Sequence, residues 1–287
     1  MSSTDKKVWL ITGCSSGFGH EIASLALERG DIVVATARDP RKLIDLASKG
    51  AITERLDVTD SEPSLEATVA SITTQTGGRI DILVNNAGYI FVGGIEEGSR
   101  DEVQAAFNTN VFGQLNVLRA VLPVMRQQRS GVVANMSSIG GWYGHPGVGL
   151  YCATKASTAI MAEALRAEVA HLGIQVTAIE PGFTNTALLQ PSNQQRAAKV
   201  LKDIKEGMNP WLDKLAAYYR DRPNDPVKVA KLIVEALTGS GRCQGRGLPA
   251  RILIGGDTYE VVGDRIDQHR ENWELWADVA TTTFLDK

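Results

Sequence analysis

Residues 8–30 read VWLITGCSSGFGHEIASLALERG, and this stretch decides the fold. It begins with a short, continuous apolar run, Val8 to Thr12, which is typical of a strand buried on both faces of a sheet. A turn with glycines at positions 13, 17 and 19 follows, and then a helical pattern that Gly30 closes. Residues without a Cβ let the backbone approach a pyrophosphate, and a helix N-terminus offers free N–H groups. The stretch therefore predicts a strand, a phosphate-binding turn and a helix.

Apolar runs and helical patterns alternate along the rest of the chain. The further predicted strands are Asp31–Ala37, Ile52–Leu56, Ile80–Val84, Gly131–Ser137, Ile174–Ile179 and Arg251–Ile254. The predicted helices are His20–Arg29, Asp39–Lys49, Ser61–Thr76, Ser99–Arg129, Tyr151–His171 and Pro226–Thr238. Strands that alternate with helices form a parallel sheet, and right-handed crossovers place helices on both faces. We therefore predict an α/β fold with a doubly wound, seven-stranded parallel sheet.

The predicted helix Ser99–Arg129 carries two local signals. Ser99 with Glu102 three residues later matches a capping box, which predicts the start of the helix. Asn110 and Gly113 lie in its middle, where both residue types are unfavourable, and an asparagine competes for backbone hydrogen bonds. We therefore predict a local kink near Asn110.

The composition is that of an ordinary globular chain, with 287 residues of which 43% are apolar and 22% are charged. No linker, charge block or repeat interrupts it, so we predict a single domain over residues 1–287. It would carry an insertion at about 183–222 without clear strands and a partly helical tail at about 257–287.

Residues 89–98 are predicted to form a loop with exposed apolar side chains. Apolar residues of the insertion either cover an apolar ligand or pack onto the core; they are Leu188, Leu189, Met208, Trp211, Leu212 and Tyr218.

Charge and cysteine usage limit the partners and the compartment. A net charge of −3 gives no reason to expect nucleic acid or an anionic membrane. No apolar run reaches the roughly 18 residues that a transmembrane helix needs, and the N-terminal MSSTDKK does not resemble a signal peptide. The three cysteines form no CxxC motif, which favours a reduced, cytoplasmic setting. We predict no metal site.

A second stretch, Ser138 to Lys155 (SIGGWYGHPGVGLYCATK), suggests catalysis. Tyr151 and Lys155 are four residues apart, so on a helix their side chains leave the same face. A free tyrosine has a pKa of about 10, and an ammonium a few ångströms away would lower it most of the way towards 7. Ser138 ends an apolar run and its hydroxyl can face the tyrosine. These groups would bind and protonate a carbonyl oxygen, although Tyr and Lys at this spacing are more often an ordinary surface pair.

Three predicted loops meet at one edge of the sheet. The glycine turn follows the first strand, Asn85-Asn86 follow the fourth, and Ser138 follows the fifth. Ligands of doubly wound sheets bind at the carboxyl ends of the strands, where the strand order reverses. Two consecutive asparagines also suggest a fixed hydrogen-bond network. This convergence favours a functional site over an accidental set of turns.

The end of the second strand bears on the choice of nucleotide. An acidic side chain here would bind the adenosine ribose hydroxyls, whereas an arginine would accept a 2′-phosphate. Arg38 occupies the position, but Asp39 would replace it if the strand ended one residue later. Arg41 and Lys42 add positive charge, and all four residues are solvated loop charges in the alternative interpretation. Asp57 either accepts a hydrogen bond from adenine or caps the next turn.

Taken together, these motifs resemble those of short-chain dehydrogenases/reductases over about residues 6–260. The matching residues are Thr12-Gly13-x3-Gly17-x-Gly19, Asn85-Asn86-Ala87-Gly88, Asn110, Ser138, Tyr151-x3-Lys155 and Pro181-Gly182 with Thr186. The resemblance implies a Rossmann-type fold and a catalytic tetrad. In it Tyr151 is the general acid/base and Ser138 orients the substrate oxygen. Lys155 lowers the tyrosine pKa and holds the nicotinamide ribose, while Asn110 positions a water that continues the proton relay.

The resemblance also implies a nicotinamide dinucleotide cofactor. Thr186 would contact the carboxamide, and Asp57 and Asn86 the adenosine side. The predicted cofactor-binding residues are Gly13, Ser15, Ser16, Gly17, Phe18, Gly19, Arg38, Asp57, Val58, Asn86, Ala87, Gly88, Tyr151, Lys155, Pro181, Gly182, Thr184 and Thr186. The string Ala35-Thr36-Ala37-Arg38 resembles the NADPH-preferring branch of hydroxysteroid and retinol dehydrogenases, so NADP(H) is expected and NAD is the alternative.

The expected reaction is hydride transfer between the nicotinamide and a ketone or secondary alcohol. Apolar and aromatic residues dominate the segments 89–92, 139–145 and 183–211, which predicts a mid-sized hydrophobic substrate. The same tetrad can serve isomerisation or dehydration without net redox, and a non-catalytic nucleotide sensor is a third alternative. The resemblance further implies a homodimer or homotetramer that pairs the helices Ser99–Arg129 and Tyr151–His171.

Overall fold

The centre of the molecule is a seven-stranded sheet in which all strands are parallel. A computed structural model describes residues 6–186, 194–221 and 224–283, with the side chains of 218 and 219 excepted. The strands of the sheet are β1 (Val8–Ile11), β2 (Ile32–Ala37), β3 (Ile52–Arg55), β4 (Ile82–Asn85), β6 (Gly131–Met136), β7 (Ile174–Pro181) and β9 (Arg251–Ile254). Their order is β3-β2-β1-β4-β6-β7-β9. The predicted sheet is confirmed, and the strand bounds agree within two residues.

Helices cover both faces of the sheet, as the doubly wound prediction requires. They are α1 (Gly17–Glu28), α2 (Ile44–Ser48), α3 (Glu62–Gln75), α4 (Arg100–Phe107), α5 (Gly113–Gln128), α6 (Gly149–Val169), α7 (Lys202–Asp221), α8 (Pro226–Thr238) and α9 (Gly256–Ala280). Buried side chains of α1 and α8 pack on one face, and those of α3, α5 and α6 pack on the other. The chain winds outward in both directions from β1 and β4, so a crevice opens between the loops that follow these two strands.

The long helix predicted over residues 99–129 is interrupted. Ser99 and Glu102 form the expected capping box at the start of α4. Residues Asn108–Phe112 form a π-helical turn, and α5 continues from Gly113. The interruption contains Asn110 and agrees with the predicted kink.

Two loop predictions are wrong. Residues 90–92 are buried and form a short strand, β5 (Ile90–Val92), although 89–98 was expected to be an exposed loop. It pairs in parallel with β8 (Gln194–Arg196), inside the insertion that was expected to lack strands. Three polar residues at a sheet edge carry no apolar alternation, so sequence periodicity does not reveal β8.

The predicted cover residues Leu188 and Leu189, and the side chain of Tyr218, lie outside the described residues.

The C-terminal tail is more helical than predicted. A single helix, α9, spans 25 residues, and of these only Thr258 and Val262 are fully buried. Trp273 and Trp276 are exposed to 73% and 62%. Over the described ranges, the structure contains no helix that is both long and apolar enough to cross a bilayer.

Candidate active site

A cleft of about 820 Å³ lies at the carboxyl ends of the central strands. All residues predicted for the site line this cleft except Gly19 and Asn110, which lie behind its surface. The residues that line it are Gly13, Ser15, Ser16, Gly17, Phe18, Arg38, Asp57, Val58, Asn86, Ala87, Gly88, Ser138, Tyr151, Lys155, Pro181, Gly182, Thr184 and Thr186. Residues far apart in the chain thus meet on one concave surface.

The glycine turn needs glycine for two different reasons. Gly13 and Gly17 have φ values of +72° and +60°, which side chains rarely adopt. Gly19 lies at an ordinary φ, but a Cβ there would come within 2.5 Å of the Gly13 carbonyl oxygen and the Asn86 side chain. Gly19 therefore lets α1 pack closely on the turn, which explains its position behind the cleft.

Hydrogen bonds fix the glycine turn to the loop after β4. The Thr12 hydroxyl accepts from the backbone N–H groups of Asn86 and Ala87, each at 3.0 Å. The Asn86 amide donates to the carbonyls of Thr12 and Gly13 at 2.9 and 3.1 Å. Asn85 donates to the side chain of Asn135 on β6 at 3.0 Å. The asparagine pair thus forms the predicted fixed network.

This part of the cleft fits the pyrophosphate of a dinucleotide. The two positive-φ glycines bring backbone into the cleft without side chains, and Ser15 and Ser16 are exposed beside them. Ser16 is the N-cap of α1, yet its side chain makes no capping hydrogen bond. The first N–H groups of α1 therefore face this end of the cleft without a side-chain acceptor from their own cap, which suits an anionic group.

At the adenosine end, β2 stops at Ala37 and Arg38 lines the cleft together with Lys42. Asp39 instead caps the following turn, where its carboxylate accepts from the Arg41 backbone N–H at 3.1 Å. The Arg41 guanidinium also donates to both Asp39 oxygens at 2.9 Å. This bidentate contact lowers the pKa of Asp39. The cations therefore face the cleft, while the neighbouring carboxylate is engaged in its own loop.

Asp57 also lines the cleft, and its carboxylate caps the turn that follows β3. Its Oδ1 accepts from the Thr59 backbone N–H at 3.0 Å and from the Thr59 hydroxyl at 2.7 Å. Asp57 thus caps the turn after β3, which is one of the two predicted roles. The second oxygen of its carboxylate remains available to a ligand.

Tyr151 and Lys155 lie one turn apart on α6 and both line the cleft. The Lys155 Nζ is 5.8 Å from the centroid of the Tyr151 ring and donates to the Met136 carbonyl at 2.6 Å. Burial lowers the pKa of Lys155 from 10.5 to about 8, because water no longer solvates the ammonium. The pair is therefore not an ordinary surface pair: the lysine is 5% exposed and lies beneath the tyrosine at the cleft.

Ser138 follows β6 and faces the same part of the cleft as Tyr151. It caps the short 3-10 turn Ile139–Gly141, where its Oγ accepts from the Gly140 backbone N–H at 3.1 Å. A hydroxyl that accepts one hydrogen bond keeps its own proton for donation. Ser138 can therefore donate to an oxygen atom bound in the cleft.

The side chain of Asn110 has a positioning role in the π-helical turn. It is fully buried, and its Oδ1 accepts from the Tyr89 backbone N–H at 3.0 Å. Its amide donates to the Tyr89 carbonyl at 2.9 Å and to the Thr154 hydroxyl at 3.2 Å. Asn110 thus holds the segment after Gly88 against α6.

The opposite end of the cleft depends on a residue that sequence reasoning missed. Asp257, at the start of α9, accepts from the Phe183 backbone N–H at 2.8 Å and from the Asn224 side chain at 2.7 Å. A Cβ on Gly182 would clash with this carboxylate. The tail thereby fixes the loop that carries Thr184 and Thr186. The sequence gives only one signal for it, an acidic residue in the first turn of a helix.

The remaining wall of the cleft is apolar. Ile90, Val148, Tyr151, Cys152 and Leu215 form a buried cluster against which Trp211 and Phe183 pack. Of the predicted cover residues, Trp211 lines the cleft and Leu212 packs on this cluster. Met208 is buried beside a neighbouring cavity.

Comparison with known proteins identifies the family. The family model described as short chain dehydrogenase matches residues 7–197. Oxidoreductase BOA17 of Botryotinia fuckeliana is 33% identical over 278 residues, which cover 96% of this chain and 98% of that protein. A 3-ketodihydrosphingosine reductase of Bacteroides thetaiotaomicron is 40% identical over 207 residues, 69% of this chain and 75% of that protein. The chain belongs to the short-chain dehydrogenase family and is an oxidoreductase of that family.

Solved structures of short-chain dehydrogenases and ketoreductases have the same fold as this chain. A short-chain dehydrogenase from Streptomyces avermitilis has a TM-score of 0.88 at 36% identity, covering 99% of this chain and 100% of that chain. A 3-ketoacyl-(acyl-carrier-protein) reductase from Brucella melitensis, complexed with NADH, has a TM-score of 0.72 at 25% identity. The match covers 89% of this chain and 99% of that chain. Actinorhodin polyketide ketoreductase with NADPH has a TM-score of 0.73 at 28% identity. The match covers 90% of this chain and 99% of that chain. Structural relatives therefore include proteins with either nicotinamide cofactor.

Proposed function

We propose that this protein transfers a hydride between NADP(H) and a ketone or secondary alcohol of a mid-sized hydrophobic substrate. The observation that carries the proposal is the convergence of Ser138 and Tyr151 on one cleft, with the Lys155 ammonium buried beneath them. The cofactor supplies the hydride when it is bound. The protein contributes the proton and the alignment of the reacting groups.

In this proposal Tyr151 donates its phenolic proton to the carbonyl oxygen during reduction and takes it back during oxidation. Ser138 donates a second hydrogen bond to that oxygen, which places it within reach of the tyrosine. Lys155 favours the ionised phenol by its charge and binds the nicotinamide ribose. Asn110, through the backbone around Tyr89 and the π-helical turn, would help to position a water that returns the proton to Lys155.

The preference for NADP(H) is supported by the charges at the adenosine end. Arg38 and Lys42 line the cleft, and an arginine can bind a 2′-phosphate with paired, charge-assisted hydrogen bonds. Asp39, which would favour NAD, is engaged by Arg41 and by the turn that it caps.

The hydrophobic character of the substrate is supported by the apolar cluster around Tyr151 and by Trp211 on α7. The Bacteroides relative is named a 3-ketodihydrosphingosine reductase, and reduction of a keto group is the reaction proposed here. We also propose that the protein is a homodimer or homotetramer, since two large apolar side chains are exposed on or beside α5 and α6: Ile160 on α6, and Phe112 directly before the start of α5.

The direct test is a panel of apolar ketones and secondary alcohols, with the oxidation state of NADPH and NADH followed by absorbance. We expect one cofactor oxidised per ketone reduced, and faster turnover with NADPH. Product formation without cofactor consumption would instead favour isomerisation or dehydration. Cofactor binding without turnover of any ketone or alcohol would favour a nucleotide sensor.

A further inference from the structure

Three side chains that do not line the cleft meet beside the turn that carries Ser138. They are Trp142, Glu180 and Arg251. Trp142 is the C-cap of the 3-10 turn Ile139–Gly141, and Ser138 is the N-cap of the same turn. Only three residues separate the two caps, so a contact that fixes Trp142 also restricts the backbone of Ser138.

The centre of this cluster is the carboxylate of Glu180, which is fully buried near the end of β7. Its Oε2 accepts from the indole N–H of Trp142 at 2.9 Å. Arg251 lies on the neighbouring strand β9 and donates to the same carboxylate, from Nη2 at 2.5 Å and from Nε to both oxygens at 3.0 Å. The indole is thus bonded to a carboxylate that is itself held by charge-assisted hydrogen bonds.

Arg251 makes two further contacts with segments of the site. Its guanidinium carbon lies 4.1 Å from the centroid of the Trp142 ring, which adds a cation–π contact. Its Nη1 lies 3.5 Å from the carboxylate of Glu163 on α6, the helix that carries Tyr151 and Lys155. One guanidinium therefore connects the serine turn, the end of β7 and α6.

Stability alone does not explain a charged cluster at this place. Burial raises the pKa of Glu180, and the hydrogen bonds from Arg251 and Trp142 oppose this effect. A buried ion pair contributes little net stability, because the desolvation of the charges offsets their attraction. Apolar side chains of similar volume would fill the same space. What the carboxylate adds is a directed hydrogen bond, which holds the Trp142 indole in one orientation.

We propose that Glu180 and Arg251 are positioning residues, which hold the indole of Trp142 and thereby keep the Ser138 hydroxyl directed at the substrate oxygen. The catalytic part of this inference rests on the proposed function. None of the three side chains touches the reacting groups, so each acts through the serine turn. A turn released from β7 would let the Ser138 hydroxyl move away from the position that it needs.

Trp142→Phe is the mildest test, because it keeps a ring beside Arg251 and removes only the indole N–H. It should lower kcat for the best ketone about 10- to 100-fold, since a displacement of about 1 Å can cost about that much. NADPH affinity should not change, because the residues that bind the cofactor are untouched. Trp276→Phe, the same change at an indole of α9 that is 62% exposed, should behave as wild type. An unchanged kcat in Trp142→Phe would overturn the proposal.

A double-mutant cycle separates positioning from a general loss of structure. In a Ser138→Ala background, Trp142→Phe should change kcat by less than about twofold, because the hydroxyl that it positions is already absent. A loss of the same factor in both backgrounds would show that Trp142 acts on the whole site and not through Ser138, which would contradict the proposal.

Glu180 and Arg251 are tested together, because removal of one charge leaves the other without its partner. Glu180→Leu combined with Arg251→Met removes both charges and keeps apolar side chains of similar size. The loss in kcat should match that of Trp142→Phe and should likewise disappear in the Ser138→Ala background. If this double variant turns over as fast as wild type, the ion pair has no positioning role.

Amide hydrogen exchange, followed by NMR, tests the hold on the turn without turnover. If wild type reduces no ketone, the proposed function fails, and the positioning is judged by the amides of Gly140 and Gly141, which donate to Ser138. These amides should exchange faster in Trp142→Phe than in wild type, while those of α3 stay unchanged. Equal exchange in the two proteins would refute the hold on the turn.

Discussion

Lys155 shows how burial in the cleft affects a charged residue. The proposed mechanism requires a cation beneath Tyr151, yet burial opposes the charge and lowers the pKa of Lys155 to about 8. The Met136 carbonyl compensates in part through one short hydrogen bond of 2.6 Å. The ammonium is thus present at neutral pH at the expense of folding stability.

This balance predicts a pH dependence of stability. Between pH 8 and 10.5 the unfolded chain keeps a proton on Lys155 that the folded protein has lost. The lysine contribution to the free energy of unfolding therefore rises with pH in this window, by about 3 kcal/mol in total. Denaturant unfolding of wild type and Lys155→Met, without cofactor, should show this change in their difference. A difference that is constant from pH 8 to 10.5 would contradict the burial of a charged lysine.

Arg38 carries the prediction on cofactor choice. Arg38→Asp should raise KM for NADPH by roughly 10- to 150-fold, because a hydrogen bond to a charged group is lost and a repulsive carboxylate is introduced. NADH turnover should be unchanged or better. Arg126→Asp, the same charge change at an exposed position of α5, should alter neither value. Equal rates of wild type with both cofactors, or no effect at Arg38, would argue against a 2′-phosphate contact.

For single residues, the sequence was informative where a residue type has few structural roles besides the predicted one. Glycines, asparagines after a strand, and a serine, tyrosine and lysine at fixed spacing could be assigned to the cleft from the chain alone. The buried contacts of Asn110 with the Tyr89 backbone could not, because they depend on how the π-helical turn meets α6.

Among the elements, the turn between β1 and α1 leaves no space for a further side-chain atom at Gly19. Gly19→Ala would place a Cβ 2.5 Å from the Gly13 carbonyl oxygen and the Asn86 amide, so α1 must shift. We expect a loss of about 1–3 kcal/mol in the free energy of unfolding, together with weaker binding of the cofactor. Both can be measured by denaturant unfolding and by nucleotide titration.

Gly207→Ala is the control for this effect. Gly207 lies within α7, and a Cβ there meets no atom within 4 Å. Since alanine is the better helix former, this variant should be more stable by about 0.5–1 kcal/mol. If both glycines respond alike, close packing of α1 is not the reason for Gly19.

The elements that were predicted well are those with a strong period. Most strands of the main sheet are apolar runs, and the helices between them bury one face, so local pattern and tertiary packing agree; β3, which reads Ile-Thr-Glu-Arg, is the exception. The pairing of β5 with β8 and the anchoring of the tail by Asp257 were missed. Both depend on contacts between segments about 100 and 75 residues apart, about which a local pattern contains no information.

For the molecule as a whole, the surface of α6 predicts assembly. Ile160 is 59% exposed on this helix, and α5 and α6 are the helices that we expect to pair across a two-fold axis. Light scattering at micromolar concentration should give more than one subunit for wild type and a lower mass for Ile160→Asp. Ile44→Asp, at a 70% exposed residue of α2, should leave the mass unchanged. A monomeric wild type would contradict the prediction.

The central claim is that the whole fold brings one proton donor, Tyr151, to a carbonyl beside a bound nicotinamide. The most direct test compares wild type with Tyr151→Phe for NADPH-dependent reduction of the best ketone, together with NADPH binding. We predict a loss of about 10²–10⁴ in kcat with nearly unchanged NADPH affinity, since only the transferable proton is removed. Turnover within about tenfold of wild type would contradict the assignment of Tyr151 as the acid.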